Sequence, residues 1–372
     1  MVKLHEICAL LSEHYPEKCA EEWDNPGLQL GRDDAEIRRV LVALELTHPV
    51  VAEAIESQAQ LILTHHPFIF KPLKSVSTRS PEGSMLLDLA EHRIALVAAH
   101  TNLDAAPAAI AQKLAQDLNL HDTTPFLPAT PYDACKIVVF VPETHADQVA
   151  QAMHQAGAGC VGDYSNVSFR SSGTGYFTCG ASTHPAIGEP GSAETVAEQR
   201  IEMVVSSRYL GRVIRALRAA HPYEEPAFDV FRLSSDVHGI SDLYGFGSIG
   251  KLAAPVTLSS LLETIKNVWD LPHLRYAGDP QTSVSRIAIL NGSGGRYISK
   301  CGGKADVLIT GDCGHHDFDN ALRMGIALID AGHYGTEKFI PQIMADMLKQ
   351  SAIGPQLDIQ IARAMQNPMS VI

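Results

Sequence analysis

The chain has 372 residues, of which 45% are hydrophobic and 19% charged, and its formal net charge is −13 at pH 7. This length is long for one domain, so two domains are expected in an otherwise ordinary globular protein. The acidic balance argues against a sequence-independent nucleic-acid coat, which needs a basic surface, although bound cations could still create a local site for a phosphate.

The first residues, MVKLHEICALLSEHYPEKC, predict an amphipathic helix rather than a signal peptide, because charged residues and a proline interrupt the apolar stretches. No run of about 18 apolar residues follows, so no transmembrane helix and no membrane contact are expected. The seven cysteines include no CxxC pair. An odd, scattered set predicts reduced thiols, and therefore a cytoplasmic protein.

Six short apolar runs predict buried strands, each followed at once by polar residues or glycine. They span 39–48, 61–66, 93–104, 286–295, 305–316 and 325–333. Helical patterns such as PVVAEAIESQ and HDFDNALRMG separate several of them. Continuous apolar strands that alternate with helices predict an α/β core with a largely parallel sheet.

The segment between the third and fourth runs has a different pattern. It gives a strand, a helix and a polar Gly/Ser-rich stretch, and then a strand, a helix and a strand. This order predicts a compact α+β module of ferredoxin-like type. We therefore predict a first half of the core at 1–130, an inserted domain at 131–235, and a second half of the core, with the remaining candidate ligands, at 236–372.

Acidic residues and histidines collect at the ends of the predicted core strands. The residues concerned are Glu45, His65, His66, His100, Asp104, Asp312, His316 and His333. One strand that ends in histidine is an ordinary turn. Ligands of open α/β sheets bind beyond the carboxyl ends of the strands, so several such ends together predict a binding site.

His65 and His66 are adjacent in the stretch LILTHHPFIF. Successive residues of an extended segment point to opposite sides, so this pair cannot chelate one ion as a helical pair can. Each imidazole could instead serve a different ion. A solvated turn after a strand is the alternative.

His333 and Glu337 lie four residues apart at the predicted start of a helix, and both would lie on one face. They could share an ion or hold one each, or Glu337 could merely stabilise the helix end. Asp104 could bridge two cations, or it could cap the following helix. The mixed N/O set typical of two-metal sites for Zn, Mn, Fe or Co comprises His65, His66, Asp104, His333 and Glu337.

The motifs LTHHPFIF, AHTNLDAA, GDCGHHDF and DAGHYGTE, with EEWDNPGLQLG near the start, resemble those of the Nif-three-like family, whose bacterial members are often called GTP cyclohydrolase 1 type 2 homologs. The resemblance covers essentially the whole chain. HADQVAQAMHQAGAG and AHPYEEPAFDVF are similar to the PII/CutA-like insert of the longer members.

The resemblance implies an α/β core with a dinuclear metal site and a toroidal homohexamer. Mapped motif by motif, it implies that Asp104 bridges the two ions. The ligands that it implies are His65, His66, Asp104, His333 and Glu337. In one departure, LELT stands where the family usually has LDxT, so Glu45, a candidate for orienting a ligand, reaches one methylene further.

Several other residues each have two possible roles. His100 and His316 are candidates for general acid or base, or could simply hydrogen-bond a ligand. NGSGG at 291–295 could bind an anion through its N–H groups but lacks the P-loop signature, and a tight turn is the simpler explanation. Trp23 and Asp24 could cover the site, and HPYEEP at 221–226 could line a rim or be a solvated face.

Two classes of function are consistent with these patterns. The first is a metal-dependent hydrolase acting on a nucleotide, phosphodiester or peptide, and guanine-nucleotide ring opening is the activity that the family label implies. The second is a non-enzymatic metal-carrying or regulatory protein whose insert senses a small molecule. We predict the hydrolase. A nucleic-acid-binding factor is disfavoured by the acidic charge.

Overall fold

The computed structural model describes residues 2–107, 109–129, 134–161, 164–233 and 244–370, without the side chain of Arg208. The chain divides into two compact units. Residues 1–129 and 244–372 form one, here called the core unit, and residues 130–243 form the other, the inserted unit. The expected domain boundaries at 130/131 and 235/236 lie outside the described residues.

Short strands make up much of the structure. In chain order the strands are β1 (Val2–Lys3), β2 (Gly27–Leu30), β3 (Glu36–Ile37), β4 (Arg39–Ala43), β5 (Leu61–Thr64), β6 (Ala95–Ala98), β7 (His121–Thr124), β8 (Leu127–Pro128), β9 (Ala134–Pro142), β10 (Phe169–Thr178), β11 (Ala193–Ser206), β12 (Phe228–Arg232), β13 (Gly245–Phe246), β14 (Ser248–Thr257), β15 (Arg275–Ala277), β16 (Ser283–Ser293), β17 (Val307–Gly311), β18 (Ala327–Asp330) and β19 (Asp358–Ile361).

Helices connect many of these strands. They are α1 (Leu4–His14), α2 (His48–Glu56), α3 (Pro81–Glu91), α4 (Thr101–Asp104), α5 (Ile110–Asp117), α6 (Ala146–Gln155), α7 (Ser207–Ala220), α8 (Leu258–Val268), α9 (His315–Met324), α10 (His333–Glu337) and α11 (Ile340–Gln350). None of the helices in the described ranges combines the length and the apolar character that crossing a membrane requires.

The core unit is a mixed α/β structure with two main sheets. The first has the order β19-β4-β5-β6-β2, in which the first four strands are parallel and β2 is antiparallel. The second has the order β15-β18-β17-β16-β14-β7, with β16, β17 and β18 parallel and antiparallel strands on both sides. The parallel strands are buried on both faces, which explains their continuous apolar sequences.

All six predicted core runs form strands, namely β4, β5, β6, β16, β17 and β18, but the expectation of one sheet is wrong. The three runs before the insert pair with one another in the first sheet, and the three after it pair with one another in the second. Strands that follow one another in sequence commonly pair, and the insert lies between the third run and the fourth. β19, from the end of the chain, joins the first sheet beside β4.

Helix start signals explain where the connecting helices of the first sheet begin. The Thr47 hydroxyl accepts a hydrogen bond from the backbone N–H of Val50 at the start of α2, and Ser80 does the same for Gly83 at the start of α3. Both helices carry proline in the first turn, where its missing N–H is not needed. These two helices pack against the β4–β6 layer in one apolar cluster.

The inserted unit has the element order β9-α6-β10-β11-α7-β12 and one antiparallel sheet of order β10-β11-β9-β12. Its helices and sheet share an apolar core that includes Ile137, Ile201 and Val213. The sequence pattern missed β10, which lies in the Gly/Ser-rich stretch. β10 is a largely exposed edge strand, and it therefore has no buried apolar face to produce a recognisable pattern.

Candidate metal centre

His65 and His66 follow β5 directly, at its carboxyl end. Backbone N–H groups of both histidines donate to the carbonyl of Leu44, and the Thr64 hydroxyl donates to the carbonyl of His66 at 2.9 Å. These bonds hold the chain in a tight turn immediately after the strand. The ring centroids lie 4.9 Å apart. Both imidazoles therefore lie at the same edge of the first sheet.

His65 is completely buried. Its Nδ1 lies 2.8 Å from the carbonyl oxygen of Ala99, which fixes Nδ1 as the donor. Its Nε2 has no hydrogen-bond partner among the residues described, and it faces Asp104 Oδ1 at 3.7 Å and Glu337 Oε1 at 3.9 Å. A buried nitrogen between two carboxylate oxygens is an arrangement that a cation would satisfy.

A second group of donors surrounds the other oxygen of the same carboxylate. Glu337 Oε2 lies 3.1 Å from His66 Nε2 and 2.9 Å from His333 Nε2. The two imidazole nitrogens are 3.3 Å from each other. Unprotonated nitrogens this close would repel through their lone pairs, so this group also requires a proton or a metal ion between them.

Asn291 joins the two acidic residues from the end of β16. Its side-chain amide donates to Asp104 Oδ1 at 2.8 Å and to Glu337 Oε1 at 3.2 Å. The next residue, Gly292, has a φ of +63°, and a Cβ there would lie 2.5 Å from Glu337 Oε1. Only glycine lets the backbone turn this close to the carboxylate. The Gly292 N–H donates to the Thr336 hydroxyl, and Asn291–Ser293 form the end of β16, not the tight turn that the sequence suggested.

The helix-end explanations for the two carboxylates are wrong. Asp104 is the last residue of α4, and α5 begins at Ile110 with Ala109 at its N-cap. Glu337 is the last residue of α10, and therefore not at the positive helix end. Both are buried among the histidines instead.

Candidate donor atoms within 4.8 Å of one another form three sets. They are His65, Asp104 and Glu337; His66, His333 and Glu337; and His65, His66 and His100. Glu337 is the carboxylate that the first two sets share, with one oxygen directed to each. A buried set of imidazole and carboxylate donors fits a divalent metal ion. The five residues predicted as ligands therefore meet at one place in the core unit.

The carboxylates favour a proton on His65 and on His333, whereas burial lowers the pKa of His66. Burial alone would lower the pKa of His65, but the carboxylates of Asp104 and Glu337 raise it to about 9. Burial is similarly outweighed at His333, where Glu337 and Asp312 raise the pKa to about 10. Burial would raise the pKa of Glu337, yet its contacts with the histidines hold it well below its usual range. Without a metal ion, protons supply the positive charge.

The family model described as Duf34/NIF3 (NGG1p interacting factor 3) matches residues 2–368 of the chain.

The chain belongs to the DUF34/NIF3 family.

Relatives of the same family cover nearly the whole chain. The "GTP cyclohydrolase 1 type 2 homolog" of Halalkalibacterium halodurans is 37% identical over 356 residues, which are 95% of this chain and 94% of that protein. The Bacillus subtilis protein of the same name is 37% identical over 330 residues, or 88% and 87% of the two chains. The crystal structure of a Bacillus cereus protein related to NIF3 has 36% identity and a TM-score of 0.90, covering 100% and 99%. The resemblance seen in the motifs is thereby confirmed.

Of the two histidines predicted as candidates for proton transfer in this NIF3-family chain, the structure brings only His100 to the cluster. Its ring centroid lies 5.1 Å from that of His65 and 5.5 Å from that of His66. His316 is exposed on α9, and its ring packs against His315. It belongs to none of the three sets of candidate donors.

The structure gives Asp24 a specific role, which the sequence suggested only as a possible cover. Its Oδ1 lies 2.7 Å from His100 Nδ1, and its Oδ2 accepts from the Thr101 N–H at 3.0 Å. Burial would raise the pKa of Asp24, but the hydrogen bonds from His100 and Thr101 lower it to about 2. Asp24 is therefore an anion that fixes the orientation of the His100 ring.

Two further contacts were not predictable from the local sequence. Asp312 Oδ2 lies 2.6 Å from His333 Nδ1 and orients that ring in the same way. The second is the contact of Asn291 with Asp104 and Glu337. Asn291 lies in a glycine-rich motif, and its own side chain gave no indication of this role. Glu45, in contrast, is half-buried, and within the described ranges it forms no hydrogen bond or ion pair with a candidate ligand.

The raised pKa values make the ion-free protein sensitive to alkaline pH. Groups whose pKa is higher in the folded state contribute stability that is complete below the unfolded value of about 6.5 and is lost as pH rises through the folded value. We expect the melting temperature of chelator-treated protein to fall between pH 7 and pH 10, as His65 and His333 lose their protons. Calorimetry across that range measures it.

His333→Gln should flatten this profile, because it removes one of the two histidines with a raised pKa. His316→Gln is the matched control, since it removes an exposed histidine outside the cluster, and it should leave the profile unchanged. A melting temperature of the wild-type protein that stays constant from pH 7 to pH 10 would contradict the charge assignment.

Proposed function

We propose that the core unit binds two divalent metal ions and acts as a metal-dependent hydrolase. The observation that carries this proposal is the buried Nε2 of His65, which faces two carboxylate oxygens and lacks a hydrogen-bond partner within the described part of the chain. Immediately beside it lies a second donor group around the other Glu337 oxygen. The mixed imidazole and carboxylate set suits Zn, Mn, Fe or Co.

In this proposal one ion binds to His65, Asp104 and Glu337, and the other to His66, His333 and Glu337. The direction of the two Glu337 oxygens supports Glu337 as a residue common to both ions. The resemblance to the family implied that Asp104 is the bridge. Asn291, which donates to both carboxylates, would keep either one in position.

The bound ions would supply Lewis-acid polarisation of an oxygen at the scissile bond. His100 would move the proton. Asp24 accepts a hydrogen bond from the Nδ1–H of His100. This bond leaves Nε2 of His100 available to take a proton or to give one. The His100 ring lies beside the rings of His65 and His66, so this proton transfer would occur next to the ions.

An aromatic pair next to His100 supports a planar substrate. Trp23 is 50% exposed, and its ring centroid lies 5.7 Å from that of Phe70. Both rings also contact the His100 ring, at 6.1 and 6.5 Å. An exposed aromatic surface can stack a nucleobase. Together with the names of the relatives, this favours a nucleotide over the alternatives, a phosphodiester or a peptide.

The second candidate is a non-enzymatic metal-carrying or regulatory protein. It is favoured by the inserted unit, which we propose to be a ferredoxin-like domain of PII/CutA type. The support is its β-α-β-β-α-β order and the arrangement of its four strands, with the first and third strands in the centre. Such a domain could sense a small molecule without taking part in a reaction.

We also propose a cytoplasmic homohexamer. The described residues include all seven cysteines, and no disulfide joins them, which suits a reducing compartment. Light scattering of the purified full chain should give a mass six times that of the 40.2 kDa chain. A mass equal to one chain, or to any number of chains other than six, would refute the hexamer. It would not bear on the proposed metal site.

Metal content tests the dinuclear site. Elemental analysis of protein purified without chelators should give about two ions per wild-type chain. Glu337→Gln should lose both ions, because both donor groups share this residue. Asp104→Asn should lose about one. His316→Gln, outside the cluster, should retain the wild-type content. Wild-type protein that stays empty after Zn, Mn, Fe and Co have each been supplied would refute the site.

Turnover distinguishes the two candidate functions. The metal-loaded protein would be screened with GTP, an aryl phosphodiester and short peptides. If the protein is a hydrolase, His100→Gln should lower kcat by about 100-fold or more while metal content stays at the wild-type value. Asp24→Asn should also lower kcat, because the ring loses its orientation. Normal turnover in His100→Gln would remove His100 from the mechanism, and no turnover in the wild type would favour the carrier.

A further inference from the structure

The inserted unit contains a cavity of about 660 Å³, which is separate from the metal cluster and unexplained by it. This volume is within the range of about 300–1,000 Å³ that small-molecule sites occupy. The cavity lies on the side of the sheet opposite α6 and α7, because its strand residues alternate with those of the apolar core. The segments 179–187 and 223–227 form its other walls.

Two glycines leave the floor of the cavity free of side chains. Gly173 and Gly175 lie two apart on β10 and therefore point to the same face. A Cβ at Gly175 would lie 2.3 Å from Glu198 Oε2, so glycine is needed there for the carboxylate to fit. A Cβ at Gly173, which pairs directly with Glu198 in the sheet, would meet no atom within 4 Å. The space above Gly173 is therefore open.

Glu198 is a buried carboxylate in this cavity without a cationic partner. The residue is only 8% exposed. Its Oε1 accepts a hydrogen bond from the Tyr223 hydroxyl at 3.1 Å. Among the described residues no lysine or arginine lies within ion-pair distance of it. The imidazole of His221 also lies near this carboxylate, but burial lowers its pKa, so the neighbours of Glu198 are neutral groups and a positively charged group would stabilise it.

The arginine that also lines the cavity does not supply that charge. Arg200 pairs with Glu202 at 3.0 Å, and Lys136 pairs with the same carboxylate at 2.9 Å. Glu224 and Glu225 add two more carboxylates to the lining, of which Glu224 has an exposed histidine 3.7 Å away. The walls are therefore acidic, and they disfavour an anionic ligand such as a nucleotide.

Aromatic rings form the apolar part of the walls. Phe177 and Tyr223 meet edge to face, with ring centroids 5.6 Å apart, and Phe140 and Tyr176 also line the cavity. Aromatic faces attract organic cations and bury the apolar body of a ligand. A buried carboxylate within aromatic walls is a combination that recognises an amine with an aromatic or apolar body.

We infer that the inserted unit binds a small organic cation, with its ammonium group on Glu198 and its apolar body against Phe177 and Tyr223. A metal ion alone does not suit this site, because the inserted unit contributes no clustered donor group among the residues that the structure describes. The inference does not depend on the hydrolase proposal, since none of the cavity residues belongs to the metal cluster.

The test uses the full chain and three matched probe sets built on phenethylamine, tyramine and tryptamine. Each amine is compared with the alcohol and the carboxylic acid of the same skeleton, so that only the charge of the head group changes. Calorimetric titration measures binding. We expect at least one amine to bind at least about tenfold more tightly than its alcohol and its acid, because a charge-assisted contact with a buried carboxylate is strong.

Two substitutions locate the binding. Glu198→Gln keeps the side-chain shape and should weaken amine binding at least about tenfold. Gly173→Val projects a side chain into the open space and should abolish binding of every probe. Glu194→Gln is the matched control: it removes a carboxylate from the same face of the same strand, but one that does not line the cavity, and it should leave binding unchanged.

Three results would overturn the inference. They are the absence of binding by all three amines at concentrations up to about 10 mM, binding of the acids or alcohols as tight as that of the amines, and unchanged amine affinity in a folded Gly173→Val protein. Thermal unfolding of each variant checks folding. If Glu198→Gln does not fold, the wild-type preference for amine over alcohol and the Gly173→Val result still decide the outcome.

Discussion

A buried carboxylate, that of Glu337, is the constraint around which the core unit is organised. Removing a carboxylate from water is costly unless positive charge and hydrogen-bond donors replace the water. Here the replacement comes from two histidine rings and an asparagine amide that reach the carboxylate from both sheets. Gly292, the residue after Asn291, has a positive φ and passes so close to Glu337 that a side chain there would collide with the carboxylate. Local backbone geometry thus follows from the need to compensate one charge.

The same requirement connects the two sheets. His65 and His66 follow β5 of the first sheet, and His333 follows β18 of the second, so the ends of strands from both sheets contribute donors to one cluster. Protons and metal ions compete for these donors, and metal binding must therefore release protons from the histidines. The affinity for metal and the stability of the fold depend on the same ionisable groups, and neither can be altered alone.

The sequence predicted the elements whose signals are local. The core strands are buried on both faces, so their apolar runs were unambiguous, and the ligand candidates were found because each directly follows such a run. The pairing of β19 with β4 was not predictable, since the two strands come from opposite ends of the chain. The roles of Asp24 and Asn291 depend on proximity created by folding. His316 was misleading because sequence adjacency to a strand end does not fix the direction of a side chain.

The inserted unit illustrates the opposite limit. β10 is exposed and rich in glycine and serine, so its sequence resembled a loop, although it forms the floor of the cavity. The features from which we infer a ligand in this unit are two glycines and one carboxylate that has a hydroxyl partner but no lysine or arginine partner among the described residues. Neither feature produces a periodic pattern.

The distribution of the ligands along the chain has a consequence for biosynthesis. His65, His66 and Asp104 are translated long before His333 and Glu337, and the inserted unit is made between them. A ribosome-bound chain therefore carries an incomplete donor set until its last part has emerged. The strand that closes the edge of the first sheet, β19, comes later still. In the proposed metal site the full donor set exists only after translation is nearly complete, so binding of both ions would be a late step that depends on completion of the core.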